Sequence, residues 1–151
     1  MAFELRRAST EVDTVTAQHL LTHRRELHAV PELSFKEFET SRYLVERLDA
    51  LSPDRLEAAV AGTGVVADVK GARPGRAVLV RADIDGLPIQ EAGELAFRST
   101  HRGVMHACGH DVHMAIALEV ARALASAALS CPEWFGSCSN PRRNAPAALR
   151  P

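Results

Sequence analysis

Four consecutive apolar residues, Ala77 to Val80, run directly into the polar stretch "RADIDGLP" that ends at Pro88. A strand that is apolar on both faces needs cover on both faces, and helices are the usual cover, so this run restricts the chain to a layered α/β fold. The abrupt change of polarity also puts two acids, Asp83 and Asp85, at the C-terminal end of that strand, where an open α/β sheet holds its ligand. Alternate residues of an extended segment share a side, so both carboxylates can serve one place, as ligands or as holders of a ligating histidine. A solvated turn closed by Gly86 and Pro88 accounts for the same residues equally well.

The cover is visible elsewhere in the sequence. Val12, Val15, His19 and Leu20 recur at rough helical spacing between Glu11 and Ala29, and Pro31 ends that helix. A second helix is expected from Ser34, whose hydroxyl can cap it while Glu37 returns the bond and Leu33 staples onto Phe38. Its apolar face would be Phe38, Ser41, Val45, Leu48 and Leu51, up to a turn at Ser52 to Asp54. A third helix begins near His110 or Asp111, with Met114, Ala117, Leu118, Ala121, Leu124 and Ala125 on one stripe.

Between the second and third helices, "GVVADVK" alternates Val65, Ala67 and Val69 against Val66, Asp68 and Lys70, as a half-exposed strand does, whereas Ala77 to Val80 reads as central. "ARPG" between them offers Pro74 and Gly75 to a type II turn, which predicts an antiparallel hairpin. Gly62, Thr63 and Gly64 read as a turn rather than a nucleotide loop, because Ala67 stands where a third glycine is needed and a strand follows.

The 151 residues, 46% apolar and 25% charged, suit one soluble domain, and a net charge of -1 gives no field for nucleic acid or an anionic membrane. The N-terminus lacks the apolar run of a signal peptide and no window reaches membrane-spanning length, so the expectation is a cytoplasmic protein with neither nucleic-acid nor membrane partners. Three cysteines, Cys108, Cys131 and Cys138, make no disulfide framework, and metal or thiol chemistry stays open.

That chemistry would sit in "GVMHACGHDVHMA", Gly103 to Ala115. Cys108 and His110 lie two apart just before a helix, whose N-terminus favours a thiolate. Thiolate with imidazole suits zinc or a similar borderline metal, but a site takes about four ligands and this loop supplies two, with His106, Asp111 and His113 as further candidates. Three readings compete: a metallohydrolase half-site, a small structural metal-binding module, and a thiol enzyme with Cys108 as nucleophile but no evident third orienting group. A buried, inert cysteine flanked by capping or solvated histidines fits the spacing as well.

Four segments in order, "HRRELHAVPELSFKEFETSRYLVERL", "GTGVVADVKG", "VLVRADIDGLPIQE" and "FRSTHRGVMHACGHDVHMAIALEVARAL", closely resemble the start of the metal-dependent aminoacylase and hippurate hydrolase family, which includes the indole-acetyl-amino-acid hydrolases. The likeness runs from about Arg24 to Ala127. It implies part of the catalytic domain of a two-metal aminopeptidase-like fold, a mixed sheet flanked by helices, with Cys108 and His110 as metal ligands. Asp85 takes the family's supporting position, and Asp83 stands where related peptidases carry a histidine ligand. The resemblance implies two divalent ions per complete site (zinc, manganese or cobalt), a small N-acyl amino acid as substrate, and a homodimer formed through an inserted lid domain. The glutamate pair that supplies the base and a further ligand, the later histidines and the lid all follow in the family and are expected to be missing here, which predicts a fragment without activity.

From Ser130 the text changes to "SCPEWFGSCSNPRRNAPAALRP", with the only tryptophan and four prolines, and no periodicity. Read one register over, from the third base of each codon into the next, "CPEWFGSCSNPRRN" permits "PGVVRVLFQPAEER", which resembles the family's next segment including its glutamate pair. We read residues 1–129 as the N-terminal part of the catalytic domain. Residues 130–151 read as an out-of-frame, disordered tail behind a frameshift near Ala127 to Ser130, whether real or a sequencing error.

Overall fold

The computed structural model describes residues 12–71 and 75–127 in full and 134–140 as backbone. Helix α1 spans Thr14–Ala29, and its N-cap is Asp13, whose carboxylate accepts from the Thr16 amide at 2.9 Å. Helix α2 spans Phe38–Asp49 and α3 spans His110–Ala127. The strands are β1 (Arg55–Val60), β2 (Gly64–Val69), β3 (Ala77–Asp83) and β4 (Trp134–Asn140), in the sheet order β1-β2-β4-β3. β2 is antiparallel to both β1 and β4, while β3 runs parallel to β4, so the sheet is mixed and helices pack on it. The core joins Leu27 of α1 and Leu44 and Leu48 of α2 to Val65 and Ala67 of β2, and Met114 and Leu118 of α3 complete it. Each fully buried large apolar side chain contributes about 1.5–3 kcal/mol. Among the described residues no helix is long and apolar enough to cross a membrane.

Several expectations need correction. Helix α2 starts at Phe38, not Ser34: Glu37 makes no side-chain cap, and Glu32 instead accepts from the amides of Glu39 (3.2 Å) and Thr40 (2.8 Å). Phe35 at φ 66° lies outside helical geometry, and Ser34 turns its hydroxyl to Asp85 at 2.6 Å. With the start displaced, the buried face becomes Thr40, Leu44 and Leu48, and Phe38 is left 66% exposed rather than stapled.

The predicted hairpin does not form, because β4 lies between β2 and β3. Its turn residues 72–74 lie outside the described residues. The exposure of the two strands is also the reverse of the expectation: Val65, Ala67 and Asp68 of β2 are buried, while Leu79 of β3 is 66% exposed. Among the described residues β2 has a strand on either side and β3 pairs only with β4. Strand β1 was not anticipated; "RLEAAV" has one branched residue, Val60, at its end, and its place comes from pairing with β2.

Within the tail that begins at Ser130, Trp134–Asn140 forms β4, and the other tail residues lie outside the described ones. β2 and β3 both offer ladders of amides and carbonyls to the space between them. Backbone pairing satisfies those groups whatever the side chains of the inserted segment.

Candidate metal centre

Two isolated bridges tie the segment after β3 to the stretches that lead into α2 and α3. Leu33 bridges to Gly86 and Leu87 bridges to Met105, with the Gly86 amide donating to the Glu32 carbonyl at 2.6 Å. A Cβ on Gly86 would meet Pro31 Cβ at 2.9 Å and the Met105 carbonyl oxygen at 3.3 Å, so only glycine lets these backbones approach. Gly109, at φ 79°, then turns the chain from Cys108 into α3, leaving the Cys108 thiol exposed and His110 buried as the first helical residue.

This packing joins Asp85 to His110. His110 Nδ1 lies 2.8 Å from the Asp85 carbonyl oxygen and 3.0 Å from Asp85 Oδ1, while Asp85 Oδ2 accepts from Ser34 Oγ. Both acceptors require a proton on Nδ1, so in the neutral ring Nε2 carries the lone pair, and that nitrogen is buried with no hydrogen-bond partner. A bare buried imidazole nitrogen oriented by a carboxylate on its other side is the state of a histidine that ligates a metal. With the Cys108 thiol two residues away, the donors fit a borderline divalent ion.

The other predicted residues are distributed as follows. His106 is buried with both ring nitrogens unpartnered, and burial pushes its pKa down to about 4, so it is a neutral imidazole at pH 7. His113 is exposed, with its ring 6.0 Å from that of His110. Asp111 is buried and engaged elsewhere, accepting from His28 Nδ1 at 2.8 Å and Arg24 Nε at 3.3 Å. Asp83, expected to share the site with Asp85, pairs instead with the Arg81 guanidinium on the same strand. Among the described residues no three His, Cys, Asp or Glu side chains make a complete ligand set, so Cys108 and His110 stand as half of one.

The sequence reading missed His28, Glu91 and Ser34. His28 Nε2 reaches Glu91 Oε1 at 3.2 Å, and the Ser99 amide, bonded to Glu91 Oε2 at 2.7 Å, holds that carboxyl below its ordinary value. The only available signal was His28 lying one helical turn after Arg24. Ser34 was hidden by a capping pattern that it satisfies on paper.

The pattern of Peptidase family M20/M25/M40 matches residues 79–130, which include Asp85, Cys108 and His110. An N-acetyldiaminopimelate deacetylase of Bacillus pumilus is 52% identical over 103 residues, 68% of this chain and 27% of that protein. Another, from Geobacillus sp., is 53% identical over 95 residues, 63% of this chain and 25% of that protein. The chain thus spans about a quarter of the length of these relatives. Among solved structures, the YXEP protein of Bacillus subtilis, described as a dinuclear metal binding peptidase from the M20 family, superposes with a TM-score of 0.79 at 38% identity, over 84% of this chain and 36% of that one. A putative aminohydrolase from methicillin-resistant Staphylococcus aureus gives 0.80 at 36% identity, over 89% and 36%. A Tannerella forsythia glutaminyl cyclase, at 19% identity and 0.56, shares the fold alone. In fold, in the sequence shared with these relatives and in the matched segment 79–130 that carries Asp85, Cys108 and His110, the chain resembles the N-terminal part of proteins of Peptidase family M20/M25/M40.

Proposed function

We propose that this chain is the N-terminal part of a metal-dependent amidohydrolase that cleaves the amide bond of N-acyl amino acids. The observation that carries the reading is the bare, buried Nε2 of His110, oriented by Asp85 beside the Cys108 thiol. The dinuclear M20 structure and the acetyl-amino-acid deacetylases among its relatives support it. Cys108 and His110 would hold one of two divalent ions, for which zinc, manganese and cobalt are the candidates. When bound, such a pair supplies polarisation of the acyl carbonyl and a water of lowered pKa. Asp85 would keep the His110 proton on Nδ1 and leave Nε2 for the ion, and Ser34 fixes the Asp85 carboxylate in turn.

Taking the water's proton and returning it to the leaving amine needs a general base that the described residues do not bring to this site, and a shifted reading of 131–144 permits a glutamate pair suited to that role. We therefore propose a frameshift near Ala127 to Ser130, an inactive 151-residue product, and a cytoplasmic full-length enzyme that pairs through a lid domain. Resequencing the locus and assaying both products tests this. The 151-residue chain should not hydrolyse N-acetyl or N-benzoyl amino acids with Zn²⁺, Mn²⁺ or Co²⁺, whereas the frame-restored protein should, and should lose turnover on chelation or Cys108→Ala. Turnover by the short chain would refute its inactivity, and chelator-resistant turnover by the restored protein would refute the metal mechanism.

A further inference from the structure

The turn between α1 and α2 is pinned on several sides. The Pro31 carbonyl accepts from His101 Nδ1 at 2.8 Å, and the Glu32 carbonyl accepts from the Gly86 amide at 2.6 Å. The Lys36 amide donates to the Leu33 carbonyl at 2.9 Å, which closes residues 33–36 into a tight turn with Ser34 and Phe35 at its centre. Phe35 takes φ 66°, a left-handed conformation that is rare for an aromatic residue, and its side chain is exposed. Backbone outliers of this kind persist where the surrounding contacts over-determine them, and they collect around functional sites.

The product of this turn is the Ser34 hydroxyl, held 2.6 Å from Asp85 Oδ2. It is not needed to cap α2, because Glu32 already accepts from the amides of Glu39 and Thr40. Asp85, by contrast, needs a fixed carboxylate plane, since the last torsion of an aspartate is broad and one bond leaves it free to swing. With His110 Nδ1 at 3.0 Å from Oδ1 and Ser34 on Oδ2, each oxygen has its own contact. A hydroxyl donating to a carboxylate at this distance is a charge-assisted bond, shorter and stronger than a neutral one. The order passes on to His110, whose Nδ1 also lies 2.8 Å from the Asp85 carbonyl oxygen, so the ring follows Asp85 and carries the bare Nε2 with it.

We propose that Ser34 is a positioning residue of the metal centre: through Asp85 it holds His110 with Nε2 presented to the ion, and its loss weakens metal binding without unfolding the chain. This rests on the metal reading of Cys108 and His110 given above. Ser34 supplies no ligand; the strained turn at Phe35 is what keeps its hydroxyl on Asp85.

The test titrates the metal-free 151-residue chain with Co²⁺. The thiolate-to-cobalt absorption that Cys108→Ala removes reports occupancy of this site. Ser34→Ala should raise the Co²⁺ Kd about tenfold, as the loss of an outer partner of a metal-bound histidine does. Ser34→Thr keeps the hydroxyl and should bind as the unsubstituted chain does. Asp85→Asn should weaken binding too, and adding Ser34→Ala to it should change nothing further, because Ser34 then has no carboxylate to hold. A role confined to the turn would weaken both backgrounds alike. Nitrogen NMR of the histidine rings in the metal-free chain gives a second readout: the His110 Nδ1 proton should exchange with water faster in Ser34→Ala. A Ser34→Ala chain that binds Co²⁺ within about twofold of the unsubstituted one, an equal loss in the Asp85→Asn background, or loss of cooperative melting in Ser34→Ala would overturn the proposal. An unsubstituted chain that takes up no Co²⁺ through Cys108 would instead overturn the metal reading on which it rests.

Discussion

His28 and His110 are both buried histidines with a carboxylate on one ring nitrogen, yet they differ at the other. His28 bonds Asp111 on one side and Glu91 on the other. His110 is bonded to Asp85 on one side and leaves Nε2 without a partner. Each ring nitrogen of His28 faces an acid, so removing it takes one partner from each of two buried carboxylates, which keep Arg24 and the Ser99 amide respectively. His110 has a free acceptor position, so removing it takes away a ligand and leaves one carboxylate that Ser34 still binds. A buried histidine is therefore assigned to structure or to ligation by its unbonded nitrogen, and burial alone does not distinguish the two.

The largest effect that would break this contrast is at His28. His28→Ala should cost about 3–5 kcal/mol in urea unfolding, since two buried carboxylates each lose a hydrogen bond of the kind worth about 1.5–3 kcal/mol, and a loss below 1 kcal/mol would mean the two acids do not depend on it. Next is pH, through His106. Its folded pKa of about 4 lies below the unfolded value near 6.5, so at pH between the two the unfolded chain binds the proton and the native chain does not. This stability is complete above about pH 6.5 and falls as the pH drops toward 4, by on the order of 3 kcal/mol. Urea midpoints at stepped pH should follow that slope, and His106→Gln should flatten it. The smallest effect is at His110, where His110→Ala should cost about 1–2 kcal/mol and abolish Zn²⁺ stabilisation by the Cys108 site. A stability loss as large as that of His28→Ala would erase the distinction.

The parts legible in the sequence were those set by local chemistry. α3 follows from its apolar stripe, and Asp85 and His110 could be paired in advance because a strand end and a helix start both announce themselves. The bond from His28 to Glu91 spans 63 residues and leaves no local trace. The start of α2 was misread because Ser34 and Glu37 satisfy a capping pattern, while Glu32, reaching forward from an irregular turn, supplies the cap. Strand exposure was misread because an apolar run reports the wish for burial and not the number of neighbours. Among the described strands β2 acquires two partners, whereas β3 has β4 alone.

The position of β4 also sets an order of events during synthesis. β1 and β2 can pair as soon as they emerge, but β3 has no described strand partner until Trp134–Asn140 leaves the ribosome, more than 50 residues after Asp83. Throughout that interval the chain presents the open edges of β2 and β3, with Val78 and Leu79 on the latter, to every neighbouring nascent chain. Unpaired apolar edges are where intermolecular strand pairing begins. β4, the last of the described strands to be made, covers the facing edges of β2 and β3 together, so the interval before its arrival is when both stand open at once.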